Sequence, residues 1–339
     1  MSTSISVQQT ATTQDLPVKG PVWVSKFTTP SPSHDDNSRE LHLGLIDEAN
    51  SHNIHCDRPS YEPLSCEWTG YRDGVEAGTP EPLLLENEKF QKLVEYQESI
   101  VNFVSLWRVW HHRVPFPAAF LDVFQAYLSR LAPSPNSPPE VIPAKNIVLA
   151  GDSSGSVLAL SLLQVLLQLK RENTVIKFHG NTIQPADFIP AGLPTKPARA
   201  NLYCEIGMLA HPPASPVASL DWSGSCPLWF ASGQEQIVDD SRLVAQTAFS
   251  QEVPVVLQEY EAPQKRKILV DWAEAIVAFG EGKKLVSKAE FIHAKGLKTE
   301  ELNLMSLVSF SVAEASELLW KKTLDYKVPL FHQQFQSSL

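Results

Sequence analysis

The sequence predicts an α/β protein with a mainly parallel sheet covered by helices on both faces. Three observations carry that reading. Ile147–Ala150, Pro227–Ala231 and Val253–Glu259 are short strand-like runs rich in apolar residues, the pattern of strands buried on both faces. Each is followed by a longer stretch of helical periodicity, so strands and helices alternate. Between the first run and its helix lies Gly151-Asp152-Ser153-Ser154-Gly155, a turn built from small residues.

In chain order, residues 1–20 are rich in Ser, Thr and Gln and read as a disordered tail. Val22-Trp23-Val24 starts a short strand ended by Pro30 and Pro32. Glu40–Asn50 reads as a helix, and Asp57–Pro82, with four prolines, as a loop-rich stretch. Glu86–Glu98 is a charged helix with Phe90, Leu93 and Val94 at helical spacing. Ile100–Val109 holds one strand. Ala118, Leu121, Phe124, Tyr127, Leu128 and Leu131 then recur every three or four residues, which makes an amphipathic helix. Pro133–Pro143 is a proline-rich loop. Val157–Leu169 is apolar on nearly every side and reads as a buried helix. Residues 170–226 read as an irregular, lid-like segment. Asp239–Ser250 and Lys267–Phe279 read as helices. Beyond Ile292 the chain reads as peripheral, with a short strand, a helix around Val312–Trp320 and a polar tail at 321–339. One domain over residues 21–320 follows.

Composition narrows the function. The chain has 339 residues, 43% of them hydrophobic, enough for one large domain. Its net charge is −10 and it has no basic block, which argues against nucleic acid as a partner. Cys56, Cys66, Cys204 and Cys226 form no C-x-x-C, so a reduced compartment fits. His52, His55 and Cys56 lie close together, but no second ligand group has matching spacing, and no metal is expected. The N-terminus lacks the basic and apolar regions of a signal peptide, and no run approaches ~20 apolar residues. A cytoplasmic protein without a membrane span is the expectation. The oligomeric state is left open.

The small-residue turn has chemical meaning. A strand that turns abruptly into a helix needs small flanking residues, here Gly151 and Gly155, so that the two backbones can approach. The central Ser153 is then held with its hydroxyl exposed at a helix N-terminus, where developing negative charge is favoured. The bland alternative is a Gly/Ser turn that merely packs strand against helix.

Together with three other stretches, this turn resembles the α/β-hydrolase family, in the fungal form of its hormone-sensitive-lipase-like branch. The pieces are Pro-Phe-Pro-Ala-Ala from Pro115, Ile-Val-Leu-Ala-Gly-Asp-Ser-Ser-Gly from Ile147, Pro-Leu-Trp-Phe-Ala-Ser-Gly-Gln-Glu from Pro227 and Val-Pro-Val-Val-Leu-Gln-Glu-Tyr-Glu-Ala from Val253. The resemblance covers roughly Pro21–Trp320. It implies hydrolysis of carboxylic esters by a Ser–acid–His triad, no cofactor, and a small apolar ester-like ligand. It assigns Ser153 as nucleophile, Glu235 as acid, and the Ser154 backbone N–H to the oxyanion hole, with Gly151, Asp152 and Gly155 completing the elbow. Asp239 and Asp240 are the other candidates for the acid.

The chain departs from the family in three places. No glycine occurs between Gly78 and Gly151, where the family carries its His-Gly-Gly-Gly oxyanion loop, and sixteen residues between Glu98 and Pro115 leave room for one strand where the family has two. Gln264 stands where the family has its catalytic His, and the histidines after Glu235 are His293 and His332. A core strand is expected to be missing after the elbow helix, where Ile189-Pro190-Ala191-Gly192 passes straight into Leu193-Pro194-Thr195-Lys196. His111 and His112 read as exposed polar residues after a strand. The expected function is that of a serine esterase by descent with weak or no turnover. A non-catalytic binding protein of the same fold, or a product of lost coding segments without its own function, remains open.

Overall fold

The structure is a computed structural model. It describes residues 17–49, 56, 58–95, 102–105, 116–135, 141–197, 214–233, 238–260, 265–280, 290–293 and 306–307. Of residues 49, 102–105, 152–154, 194–197, 233, 239, 265–270, 280, 290–293 and 306–307 it describes the backbone.

The centre is β4 (Ile147–Ser153), whose first four side chains are buried because the sheet is covered on both faces. On one side it pairs in parallel with β3 (Asn102–Ser105), on the other with β7 (Leu193–Pro197). The sheet continues in parallel through β8 (Leu228–Gly233), β9 (Val255–Tyr260), β10 (Glu290–His293) and β11 (Ser306–Leu307). Among the described residues that makes seven strands in one sheet.

Helix α3 (Ala118–Leu131) starts after Pro117 and stops before Pro133, a residue that disfavours helix at the position before it. α4 (Ser154–Arg171) follows β4 directly. Leu158, Leu160, Leu162, Leu163, Val165 and Leu166 are all buried on it, so it lies inside the fold. Lys170 and Arg171 sit at its negative end, and Asn173, at φ 53°, turns the chain out of it. α5 (Val238–Ser250) connects β8 to β9. α6 (Lys265–Gly280) covers the opposite face, where Trp272, Ala275 and Phe279 meet Val148, Ala150, Trp229 and Val256. A Cβ at Gly192 would run into the Phe279 ring, so a glycine lets α6 lie flat there.

The N-terminal part is built differently. β1 (Val22–Thr29) and β2 (Leu64–Tyr71) pair antiparallel, and among the described strands they pair with each other alone. α1 (Ser38–Ala49) lies between them in sequence, and α2 (Glu86–Glu95) packs on β1. The Arg130 guanidinium, from α3, sits 5.0 Å from the Phe27 ring and 4.8 Å from the Trp68 ring. Gln125 Nε2 donates to Pro30 O at 3.1 Å. Lys89 bridges Glu81 and Glu86 at 2.9 and 3.0 Å.

Four expectations change. Asp57–Pro82 contains the strand β2; its prolines, Pro59, Pro63, Pro80 and Pro82, flank the strand and do not interrupt it. The segment 170–226 is not irregular throughout. It holds the hairpin β5 (Ile176–Phe178) and β6 (Asn181–Ile183), and then β7, a strand of the main sheet. The core strand after the elbow helix is therefore present. Pro194 and Pro197 remove two of its five amide donors, which hides it from pattern reading, and pairing on both sides fixes it. β10 belongs to the sheet and is not peripheral. Within the expected tail at 1–20, Lys19 bridges to Pro80 and Gly20 N donates to Thr79 O. The helix expected around Val312–Trp320 and the tail at 321–339 lie outside the described residues.

Candidate active site

At Ser153 the structure describes the backbone. Ser153 is the last residue of β4 and Ser154 the first of α4, so the strand becomes a helix with no intervening loop. A Cβ on Gly151 would overlap the backbone of Gly155 and Ser156. Only glycine permits that approach. Ser156 Oγ then donates to Gly151 O at 2.9 Å and locks the first helical turn onto the strand. The turn lies at the carboxyl ends of the parallel strands, where open α/β sheets bind their ligands. There the Ser154 amide opens the helix, without an intrahelical acceptor, at the helix's positive end.

Register shows what lies beside it. Ala150 is opposite Ser105, and Ser153 is opposite Pro197. β7 matches Thr195 to Phe230, which carries the same row to Ser232 on β8. Ser232 is opposite Glu259, and Glu259 is opposite His293. His293 is therefore four strands from Ser153, roughly 19 Å at ~4.8 Å per strand. Hydrogen-bond reach for a base is ~2.6–3.2 Å, so His293 does not serve Ser153 from that strand.

The carboxyl end of β9 is anchored by groups that motif reading missed. Arg242, on α5, donates from Nε to Glu259 Oε1 at 2.6 Å and from Nη2 to Oε2 at 2.8 Å. Glu259 is 3% exposed, so this fork satisfies a carboxylate taken out of water. On the other face, Gln258 Nε2 and the Tyr260 hydroxyl both donate to Asp271 Oδ2, at 2.7 and 2.5 Å. Burial and the Asp271 carboxylate push the Tyr260 hydroxyl well above its usual range. These bonds tie α5 and α6 to the end of β9. The signal was in the sequence as three polar residues, Gln258, Glu259 and Tyr260, closing an apolar strand.

Several expected site residues fall outside the described residues: Glu235, Gln264, His332, His111 and His112, with His52 and His55. Asp152, Ser153 and Ser154 are placed by backbone, and Asp239 likewise; Asp240 is exposed on α5. Among the described residues no three His, Cys, Asp or Glu side chains group as metal ligands, and no helix is long and apolar enough to cross a membrane. Cys66 and Cys226 are free thiols.

Residues 112–264 match the family described as alpha/beta hydrolase fold. An acetyl-hydrolase of Streptomyces hygroscopicus is 33% identical over 162 residues, 43% of this chain and 50% of that protein. The chain thus spans about half the length of the curated relative it matches. Among solved structures, a bacterial heroin esterase is 13% identical, covering 82% of this chain and 89% of its own, with a TM-score of 0.45. A hyperthermophilic esterase from the archaeon Pyrobaculum calidifontis is 15% identical, covering 72% and 91%, with a TM-score of 0.42.

Proposed function

The chain has the α/β-hydrolase fold, with residues 112–264 matching that family, and on this footing we propose that it is a carboxylic-ester hydrolase by descent whose turnover stays near background. In this reading Ser153 is the nucleophile, Glu235 the acid, and the Ser154 amide the surviving oxyanion donor. The seat of Ser153 supports it most: a strand–helix junction at the centre of the sheet, closed by glycine against backbone.

The low turnover follows from what the site has to work with. A serine hydroxyl is a weak nucleophile until a neighbouring base takes its proton. Gln264 replaces the family's imidazole in sequence, and an amide accepts no proton near neutral pH. His293 lies four strands away. Losing the base from such a unit costs about 10⁶ in turnover. Each oxyanion donor lost costs ~2.7–4 kcal/mol of transition-state stabilisation, and the Gly-rich loop that supplies most of them has no counterpart in the sequence. The ligand is a small apolar ester. The setting is the cytoplasm, where thiols such as those of Cys66 and Cys226 stay reduced.

Restoration tests this reading. A Gly-rich segment with its strand is inserted between Glu98 and Pro115, and Met-Pro-His at Pro263. Either insertion alone recovers little, because members of one catalytic unit act together. Both together raise hydrolysis of p-nitrophenyl butyrate by several orders of magnitude, and Glu235→Gln then lowers kcat. A folded double insertion that stays at background would refute the proposal.

A further inference from the structure

His42 is a buried imidazole that the ester-hydrolase reading leaves unused. It lies on α1, inside the cluster formed by Leu43, Leu45, Ile46, Phe120 and Phe124. Its ring stacks on Phe120, with centroids 4.1 Å apart and planes 15° from parallel, and tilts against Phe124 at 6.2 Å. Among the described residues, neither ring nitrogen has a hydrogen-bond partner. A leucine or phenylalanine would fill this place without orphaning a donor and an acceptor, a loss that ordinarily destabilises a fold.

The segment just before α1 is fastened to the β5–β6 hairpin by groups of the same kind. Asn37 N donates to Lys177 O, Lys177 N to Asn37 Oδ1, and Asn37 Nδ2 to Val175 O, at 3.2, 2.7 and 3.1 Å. Asp36 Oδ2 accepts the His179 backbone N–H at 3.1 Å. Asp36 Oδ1 and His179 Nε2 are both buried without a hydrogen-bond partner among the described residues. The first half of α1 is thus held at two places, the His42 ring against Phe120 of α3 and Asp36, just before the helix, against the His179 backbone.

We propose that α1 is an acid-released latch: closed, it holds the His42 ring neutral against Phe120, and protonation of that ring opens α1 while the elbow helix α4 stays folded. An imidazolium has two N–H donors, and the aromatic pocket offers neither of them an acceptor. The charged groups on the surrounding elements are Arg39, Glu40, Asp47 and Glu48 on α1, Asp122 and Arg130 on α3, and Asp36, Lys177 and His179 beside the hairpin. Arg39 is occupied with the carbonyls of Pro59 and Arg58, and Asp47 with Arg58. None of them sets the basicity of His42. Burial alone lowers it, from 6.5 to about 3. His179 is also lowered, by desolvation that the Asp36 carboxylate partly opposes.

The sign follows from linkage. The closed state binds the His42 proton more weakly than the open chain does. Its advantage is therefore complete above pH 6.5 and is lost as pH falls from 6.5 toward about 3. Between pH 7.5 and pH 5 the open population rises about 30-fold through His42 alone.

Native-state hydrogen exchange of the full chain at these two pH values, with intrinsic rates divided out, tests the latch. Protection of α1 amides is expected to fall about 30-fold more than that of α4 amides. In His42→Phe, which keeps the stack and cannot titrate, that excess is expected to disappear. Equal loss in α1 and α4, or the same excess in His42→Phe, would overturn the proposal. If His42→Phe does not fold, the ring carbon shifts of His42 in the native chain decide. A titration midpoint below 6 that coincides with faster exchange of the α1 amides supports the latch, and one between 6 and 7, or one with no change in α1 exchange, contradicts it.

Discussion

The elbow and the N-terminal strand pair are held in place by different forces. Around β4 and α4 the bonds are backbone to backbone and the side chains are apolar and buried: Ile147–Ala150 inside, Gly151 against Gly155, leucines along α4. The β1–β2 pair carries no ladder to the main sheet among the described strands. It rests on a guanidinium between two rings, an amide on Pro30, and a lysine bridging two glutamates. A region fixed by close backbone packing tolerates almost no change in shape. One fixed by a few polar anchors can be loosened one anchor at a time.

Gly151→Ala should sharpen this contrast most. The added methyl meets backbone atoms, which cannot rotate away, so a loss of about 3 kcal/mol is expected in urea denaturation, the upper part of the range for overpacking. Arg242→Met comes next. It removes the two bonds that Arg242 gives the buried Glu259 carboxylate; because the arginine end is partly exposed, we expect about 2 kcal/mol, less than for a fully buried pair. Arg130→Ala should cost about 1–2 kcal/mol from the two ring contacts. The loss should be local, so that β1 and β2 amides exchange faster while those of α4 do not. An equal effect on both would mean that strand pair and elbow form one cooperative unit. Ser156→Ala removes one buried hydrogen bond and should cost about 1 kcal/mol.

The same division explains what the sequence disclosed. β4, α4, α3, β8 and β9 were legible because local pattern and burial agree along them, and Gly151 and Gly155 announced the tight turn before any coordinates did. β2 was hidden because its inward residues, Leu64, Cys66 and Trp68, are only half buried and its neighbourhood is rich in proline. β7 was hidden because two of its five residues are prolines, and pairing from both sides is what makes it a strand. The remoteness of His293 follows from sheet order, which no single-strand pattern contains. Arg130, Arg242 and Asp271 find partners far along the chain or across elements, so spacing could not mark them.

In the proposed reading Ser153 is a nucleophile held in place without a base to activate it. Hydrolysis of p-nitrophenyl acetate by the purified chain, measured beside Ser153→Ala and corrected for spontaneous reaction, tests it most directly. The account predicts a rate within about tenfold of the uncatalysed one, since a serine without its base gains little. Robust turnover that disappears in Ser153→Ala would contradict it, and would mean that a residue other than Gln264 or His293 takes the proton.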